Sequence, residues 1–187
     1  QSIASFRASH PDVELQLIEM EMRLQLARIA DGNLDFAFIR PPAPVPEGVT
    51  THVVLREPLM AALPENHPLA FAPQVDLKNL SDETFITPRQ PPDVGFHYNT
   101  IEACNEAGFQ PAISPEGRDY TTIVSMVAIG LGVALVPRSL DCLRLPGVRY
   151  VPLAASATTS DLAIAHRKTE ASPAVRAFIP VSYTHLR

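Results

Sequence analysis

Apolar side chains recur at two different spacings in the first forty residues. Residues 3–9 have helical spacing and stop before Pro11, whereas apolar and polar side chains alternate over 13–19. Residues 24–30 return to helical spacing and end at Asp31-Gly32, and 35–39 form a continuous apolar run typical of a buried parallel strand. This order of helix, strand, helix and strand predicts an α/β fold.

The rest of the chain continues in the same way. The pattern predicts helices over 96–107 and 120–129, a last helix that begins at Ser172-Pro173, and strands over 49–55, 58–63, 84–87, 112–116, 133–136, 148–153 and 162–165. This number of strand-helix units favours two small sheets over one long sheet.

Because proline disrupts a helix interior, Pro180 is expected to end the last helix. We interpret residues 180–187 as foreign to the gene.

The composition excludes several classes of protein. Hydrophobic residues make up 46% of the chain and charged residues 19%, which argues against disorder. The net charge is −5 and the fifteen Lys and Arg residues are scattered, so the chain is not expected to grip DNA phosphates alone. No apolar run is long enough to span a bilayer, and no signal peptide is visible. Two free thiols, Cys104 and Cys142, in a reducing compartment are favoured over one disulfide.

No catalytic or cofactor-binding motif is present in the sequence. It contains no P-loop, nucleophile elbow or SxxK pair, and its six histidines are scattered singly, without metal-ligand spacing. Gly130-Leu131-Gly132 begins a GxG motif but lacks the third glycine, so tight packing between a helix and a strand is favoured over a dinucleotide site. We therefore expect no enzymatic activity, no metal and no cofactor.

Arg40 is a candidate ligand-binding residue because of its place at a strand end. It directly follows the apolar run 35–39, and ligands of open α/β sheets bind beyond the carboxyl ends of the strands. Its guanidinium offers a planar fork of donors that suits a carboxylate. A structural ion pair, for instance with Glu57, is an equally supported alternative.

Two predicted helix starts are further candidates, since backbone N–H groups at a helix N-terminus bind anions. One is Gly95-Phe96, with His97 next in the sequence, and the other is the segment 119–122 that begins with Asp119. The residues that these starts would bring to an anion are Gly95, Phe96, Tyr120, Thr121 and Thr122. Ordinary capping by Asp119 is the alternative for the second start, and capping is compatible with a ligand contact.

Several of these segments, in this order, resemble one family of bacterial proteins. The segments are residues 6–15, 32–40, 57–70, 104–111, 127–137 and 172–178. Each is weak alone, but together they resemble the effector-binding domain of LysR-type transcriptional regulators over residues 6 to 179.

The resemblance implies an α/β fold of two Rossmann-like lobes joined by two crossover segments, as in type 2 periplasmic binding proteins. Lobe I would comprise residues 1–56 plus 161–187, with its first strand missing, and lobe II residues 57–160. A small anionic effector would bind between them. The resemblance also implies a cytoplasmic homodimer or homotetramer that contacts DNA only through a helix-turn-helix absent from this chain. The alternative is an extracytoplasmic solute-binding protein.

The resemblance is strongest to regulators that sense intermediates of aromatic degradation, such as benzoate or muconate. In that subgroup the equivalents of Arg40 and Phe96 help to line the effector pocket. One departure is Met22, which stands where the family has a serine or threonine for the effector. This departure predicts a bulkier or more apolar effector.

Overall fold

The computed structural model describes residues 2–154, 158–169 and 172–184. Its elements, in chain order, are α1 (Ser2–Ser9), α2 (Met22–Ala30), β1 (Phe36–Ile39), β2 (Val49–Pro64), β3 (Thr84–Pro88), α3 (Gly95–Glu106), β4 (Ala112–Gly117), α4 (Tyr120–Ala128), β5 (Ala134–Pro137), β6 (Val148–Pro152), β7 (Thr159–Arg167) and α5 (Pro173–Thr184). Short 3-10 helices cover Leu77–Leu80 and Arg138–Cys142. The predicted α/β class is confirmed.

The chain divides into two units. Unit 1 comprises Gln1–Arg56 and Asp161–Arg187, and unit 2 comprises Glu57–Ser160. The chain therefore passes from one unit to the other within β2 and again within β7.

In unit 1, β7 lies between β1 and β2 in the sheet. β1 pairs with β7 in an antiparallel register in which Phe36 lies opposite His166. The prediction that residues 35–39 form a parallel strand is therefore wrong. A continuous apolar run reports burial on both faces and does not report the direction of the neighbouring strand, which here is a segment from the far end of the chain.

Residues 13–19 do not form the strand that their alternating pattern predicts. Val13 and Leu15 pack against the apolar cluster of unit 1, but Leu17 is 74% exposed. Alternation records which side chains face the cluster, whereas a strand also requires a hydrogen-bonded neighbour. None pairs with this segment in the part of the chain that the structure describes.

Aromatic rings join α1 and α5 to the sheet of unit 1. The Phe178 ring lies 5.1 Å from Phe6 in an edge-to-face arrangement and 4.5 Å from Phe36 in a stacked one. The helix α5 continues through Pro180 to Thr184, so the predicted break is wrong. A proline inside a helix costs about 3 kcal/mol, which the burial of Phe178 and Val175 helps to offset. Residues 185–187 of the tail that we interpreted as foreign lie outside the described residues.

The central strand of unit 2 is the second half of β2. Leu59, Ala61 and Leu63 face one apolar cluster, while Met60 and Ala62 face another. This half of β2 pairs antiparallel with β5 and with β6. The two strands predicted over 49–55 and 58–63 are one continuous strand, because the fixed φ of Pro58 is compatible with extended backbone.

The strand β3 lies next to the start of β5 and is followed along the chain by α3. It pairs with β4 in parallel, and Ile86 N donates to Val133 O at 2.8 Å just before β5. Because α3 follows β3 after a short loop, the helix begins near the carboxyl end of a parallel strand. Ligands of α/β proteins bind at such strand ends.

The two glycines of the GxG motif have structural roles, which confirms the packing interpretation. Gly130 ends α4 with a φ of +78°, a left-handed conformation that favours glycine. Gly132 has a φ of +152°, and a Cβ atom there would collide with the backbone carbonyl oxygen of Thr84 in β3. A side chain at position 132 would therefore push the start of β5 away from β3.

We expect Gly132→Ala to lower the free energy of unfolding by about 2–4 kcal/mol, because it adds a backbone collision to an unfavourable φ. Gly130→Ala is the matched control, since its φ is also positive but a Cβ there meets nothing within 4 Å. It should cost only about 1 kcal/mol. Urea denaturation of both variants measures the difference, and equal losses would contradict the proposed collision.

Candidate functional site

The start of α3 in unit 2 is capped from a distance. Its N-cap residue, Val94, has no side-chain hydrogen bond to offer. Instead the Gln90 side-chain oxygen accepts from the backbone N–H groups of Phe96 at 3.0 Å and His97 at 3.4 Å. Gly95 enters the helix with a φ of +57°, which favours glycine. Two donors of this helix start are thus engaged by a neutral amide.

Polar side chains are buried around this helix start. Thr87 Oγ1, at the end of β3, lies 3.0 Å from His97 Nδ1. Thr100 Oγ1 donates to the Phe96 carbonyl oxygen at 3.0 Å. Asn99 is also buried. Of the seven buried polar or charged side chains among the described residues, four lie between positions 87 and 100, which makes this strand end the most polar part of the unit 2 interior.

Phe96 is a core side chain in unit 2. It is 2% exposed, belongs to the same apolar cluster as Leu59 and Leu135, and meets the Tyr120 ring edge-to-face at 5.3 Å. Tyr120 itself is partly buried between both clusters of the unit. The structure therefore brings Gly95, Phe96 and Tyr120 together within unit 2. The predicted contact of Phe96 with an effector stays a prediction.

The start of α4 is held by a carboxylate. Asp119 is its N-cap, and one carboxylate oxygen accepts from the Thr122 backbone N–H at 2.8 Å. The hydrogen bonds from the Thr122 backbone and side chain, together with one from the Thr121 backbone, hold the pKa of Asp119 below its ordinary value. The predicted capping by Asp119 is confirmed. An incoming anion would meet this negative charge, and ligand binding by Thr121 and Thr122 stays a prediction.

In unit 1, Arg40 is partly buried and follows β1 directly. Glu57, its alternative partner, is 6% exposed and belongs to unit 2. The Glu57 carboxylate accepts from the Ser139 backbone N–H at 2.7 Å and from the Ser139 hydroxyl at 3.1 Å. The role of Arg40, as effector contact or as partner of Glu57, stays a prediction.

Met22 is the first residue of α2 and is 8% exposed. The preceding residue, Glu21, caps the helix by accepting from the Leu24 backbone N–H at 3.1 Å. The side chain at position 22 is thus part of the unit 1 interior, next to a helix start already occupied by a carboxylate. Its predicted role towards an effector stays a prediction.

No helix of the described residues is both long and apolar enough to cross a membrane. The same residues contain no group of three or more His, Cys, Asp or Glu side chains placed to hold a metal. Cys104 and Cys142 are both free, and burial raises the pKa of the Cys104 thiol to about 12. That thiol is therefore an unreactive core side chain at neutral pH.

Comparison with known proteins gives one consistent family. The LysR substrate binding domain matches residues 1–186. The chain belongs to this family. It is 35% identical over 178 residues to the uncharacterized HTH-type transcriptional regulator YnfL of Escherichia coli, covering 95% of this chain and 60% of YnfL. It is 31% identical over 176 residues to the HTH-type transcriptional regulator BudR of Raoultella terrigena, covering 93% of this chain and 60% of BudR. These relatives are transcriptional regulators, not enzymes, and the chain spans about 60% of their length.

Solved structures of the LysR family share the fold. A variant of the BenM effector-binding domain superposes with a TM-score of 0.86 at 27% identity, covering 97% of this chain and 84% of that domain. The BenM effector-binding domain with its effector benzoate gives a TM-score of 0.83 at 27% identity, covering 97% of this chain and 82% of that domain. The fold is thus that of the periplasmic-binding-protein-like LysR effector domains.

The sequence analysis did not propose Thr87 or Gln90 as site residues, and it mentioned His97 only as a neighbour of Phe96. In the structure all three lie between the carboxyl end of β3 and the first turn of α3. Gln90 precedes two prolines in a loop, and nothing in its pattern shows that its amide caps a helix that begins five residues later. His97 carried a weak signal, because it is a polar residue in the first turn of a predicted helix, where an anion can bind.

We expect Phe96→Ala to lower the free energy of unfolding by about 3–5 kcal/mol, since it leaves a cavity in the unit 2 core. Phe71→Ala is the control, because Phe71 is 71% exposed and the Arg149 guanidinium lies over its ring, 4.9 Å from the centroid. That change should cost about 1 kcal/mol or less. Urea denaturation measures both, and a small effect of Phe96→Ala would place its ring outside the core.

The lowered pKa of Asp119 makes part of the stability depend on pH. A carboxyl whose folded pKa lies below its unfolded value stabilises the fold fully above the unfolded pKa, near 3.8, and loses this contribution as pH falls through the folded pKa. We therefore expect Asp119→Asn to be less stable than the wild type at pH 7 and equally stable below the folded pKa. Asp82→Asn, which removes an exposed carboxylate without a cap, should show no such pH-dependent difference. Chemical denaturation across a pH series measures it; a difference that does not change with pH would contradict this origin.

Proposed function

We propose that this chain is the effector-sensing part of a LysR-type transcriptional regulator and that it binds a small anionic molecule. The observation that carries the proposal is the match of the LysR substrate binding domain to residues 1–186. An extracytoplasmic solute-binding protein is disfavoured, since the relatives are HTH-type transcriptional regulators. The sensing part would act from the cytoplasm, where it has access to both an intracellular effector and DNA.

The effector class that we propose is an aromatic carboxylic acid or one of its ring-cleavage products. Two observations support this class. A structural relative at 27% identity, the BenM effector-binding domain, has benzoate as its effector. The candidate residues also offer cationic and N–H donors, namely Arg40 and the start of α3. Such donors bind a carboxylate by charge-assisted hydrogen bonds.

Within unit 2, the start of α3 is the better candidate for the anion than the start of α4. Both begin with N–H groups that can bind an anion. At α4 these groups already face the negative charge of Asp119, whereas at α3 they face the neutral amide of Gln90. We therefore propose that the anionic group of the effector contacts α3 at Gly95 and Phe96. Tyr120, Thr121 and Thr122 at the start of α4 would contact its other groups. From unit 1 we propose Arg40 as a contact and Met22 as a residue that favours an apolar effector.

The regulatory assembly is part of the same proposal. The full-length protein would form homodimers or homotetramers and would bind DNA through a helix-turn-helix. The bound effector would change the conformation of the DNA-bound oligomer. The relatives YnfL and BudR support this proposal, because both are HTH-type transcriptional regulators. The chain spans about 60% of the length of each.

A thermal-shift screen of aromatic acids and their ring-cleavage products tests the effector class. A ligand at about 100 times its Kd should stabilise the protein by roughly 2.7 kcal/mol. Neutral analogues of the same ring size should give smaller shifts. A screen in which neutral analogues stabilise as strongly as the acids would contradict the anionic class.

We expect Arg40→Ala to weaken binding of the acid found in that screen by one to two orders of magnitude, because a charge-assisted hydrogen bond contributes about 1.5–3 kcal/mol. Arg40→Lys should recover only part of the loss, since the planar fork is absent. Arg7→Ala is the control, because it removes the same charge from an exposed position of unit 1. Calorimetry and melting temperature are measured for each. Unchanged affinity with lowered stability would assign Arg40 to an ion pair instead.

A further inference from the structure

We propose that His97 selects the effector by presenting an N–H donor from its Nε2 atom, so that unit 2 accepts carboxylate or carbonyl groups and rejects groups that only donate. This inference rests on the proposed function, since it concerns the same effector. His97 would thus be a specificity-determining residue, and its selectivity would depend on which nitrogen of the imidazole ring carries the proton.

His97 is buried at the strand end described above. It lies in the first turn of α3, next to the carboxyl end of β3, and is only 6% exposed. Its Nδ1 atom is 3.0 Å from Thr87 Oγ1 and 3.4 Å from the Pro88 carbonyl oxygen. Its Nε2 atom has no hydrogen-bond partner in the described part of the chain. One ring nitrogen is therefore committed to the protein, and the other is left for a ligand.

The Thr87 hydroxyl decides where the proton lies. Thr87 is 0% exposed, and among the described residues the hydrogen-bond partner of its hydroxyl is His97 Nδ1. A buried hydroxyl that donates to nothing is unfavourable, because it loses its hydrogen bond to water without replacement. In the neutral ring the hydroxyl is satisfied only by donating to Nδ1, which leaves the single ring proton on Nε2.

The alternative neutral form is less favourable. With the proton on Nδ1, the ring would donate to Pro88 O or Thr87 Oγ1, and the buried Thr87 proton would have no acceptor. The longer distance to Pro88 O agrees with this ranking. In the doubly protonated ring, Nε2 also carries a proton. That form is also less favourable than the neutral ring protonated at Nε2, because its Nδ1 cannot accept from Thr87. Nε2 is thus a donor in the favoured neutral form.

The neighbouring groups leave this assignment unchanged. Gln90 already accepts from the Phe96 and His97 backbone N–H groups, and Thr100 donates to the Phe96 carbonyl. None of these hydrogen bonds involves the imidazole ring. The position of the ring proton is therefore determined by Thr87 and Pro88 alone.

The first test measures the tautomer without any ligand. Long-range nitrogen–proton NMR of the histidine rings at pH 8 should show His97 protonated at Nε2 in the wild type and in Thr87→Ser, which keeps the hydroxyl. In Thr87→Val, which has the same shape but no hydroxyl, the proton should move to Nδ1 and bond to Pro88 O. A wild-type ring protonated at Nδ1 would overturn the proposal.

The second test uses benzoate as the probe and compares two isosteres of histidine. His97→Gln keeps an N–H near the Nε2 position and should bind benzoate within about threefold of the wild type. His97→Asn keeps a polar group near the Nδ1 position only, and should weaken binding by about tenfold to a hundredfold. Thr87→Val should also weaken binding, although we assign residue 87 no contact with the ligand. Melting temperatures of all variants show which of them remain folded.

The outcomes separate this inference from the proposed function. If His97→Asn and Thr87→Val remain folded and bind benzoate like the wild type, the selectivity assigned to His97 is wrong while the sensing function stands. If the wild type binds neither benzoate nor any acid of the screen, the effector class is wrong, and the tautomer measurement still decides whether Nε2 is a donor.

Discussion

The fold of unit 2 depends on the double burial of residues 59–63 in β2. Alternate side chains of this segment enter two different apolar clusters, and both of its edges pair, with β5 on one side and β6 on the other. A strand in this position accepts only apolar side chains, and small ones such as Ala61 and Ala62 let the covering elements approach. Phe96 and Tyr120, which pack on these clusters, locate α3 and α4, so the polar end of β3 takes its position from β2.

Unit 1 is built from the two ends of the chain. Its sheet is completed by β7, and α1 packs on α5 through the Phe6 and Phe178 rings. Contacts between segments so far apart in sequence carry a large loop-closure cost before they stabilise the fold. The same return of the chain explains why β1 is antiparallel to its neighbour although its sequence resembles a buried parallel strand.

The helix starts of the two units differ in the charge of the group that caps them. A carboxylate caps α4 and another caps α2, whereas α3 is capped by a neutral amide and has a buried histidine in its first turn. This difference in charge makes α3 the start best suited to an anion. A ligand that binds at a helix start must compete with any group that the protein itself places there.

The sequence by itself determined the local elements, the α/β class and the family, since these depend on spacing, on capping residues such as Asp119 and on the order of short motifs along the chain. It also identified Arg40, Gly95 and Phe96 as candidates from their positions at element ends. Only the tertiary structure decided strand direction, the burial of Phe96 and the pairing of Thr87 with His97. It also showed that no strand among the described residues pairs with residues 13–19. The physical reason is that periodicity reports which side of an element is buried, whereas direction, pairing and proton position depend on neighbours that are distant in sequence or brought together only by folding.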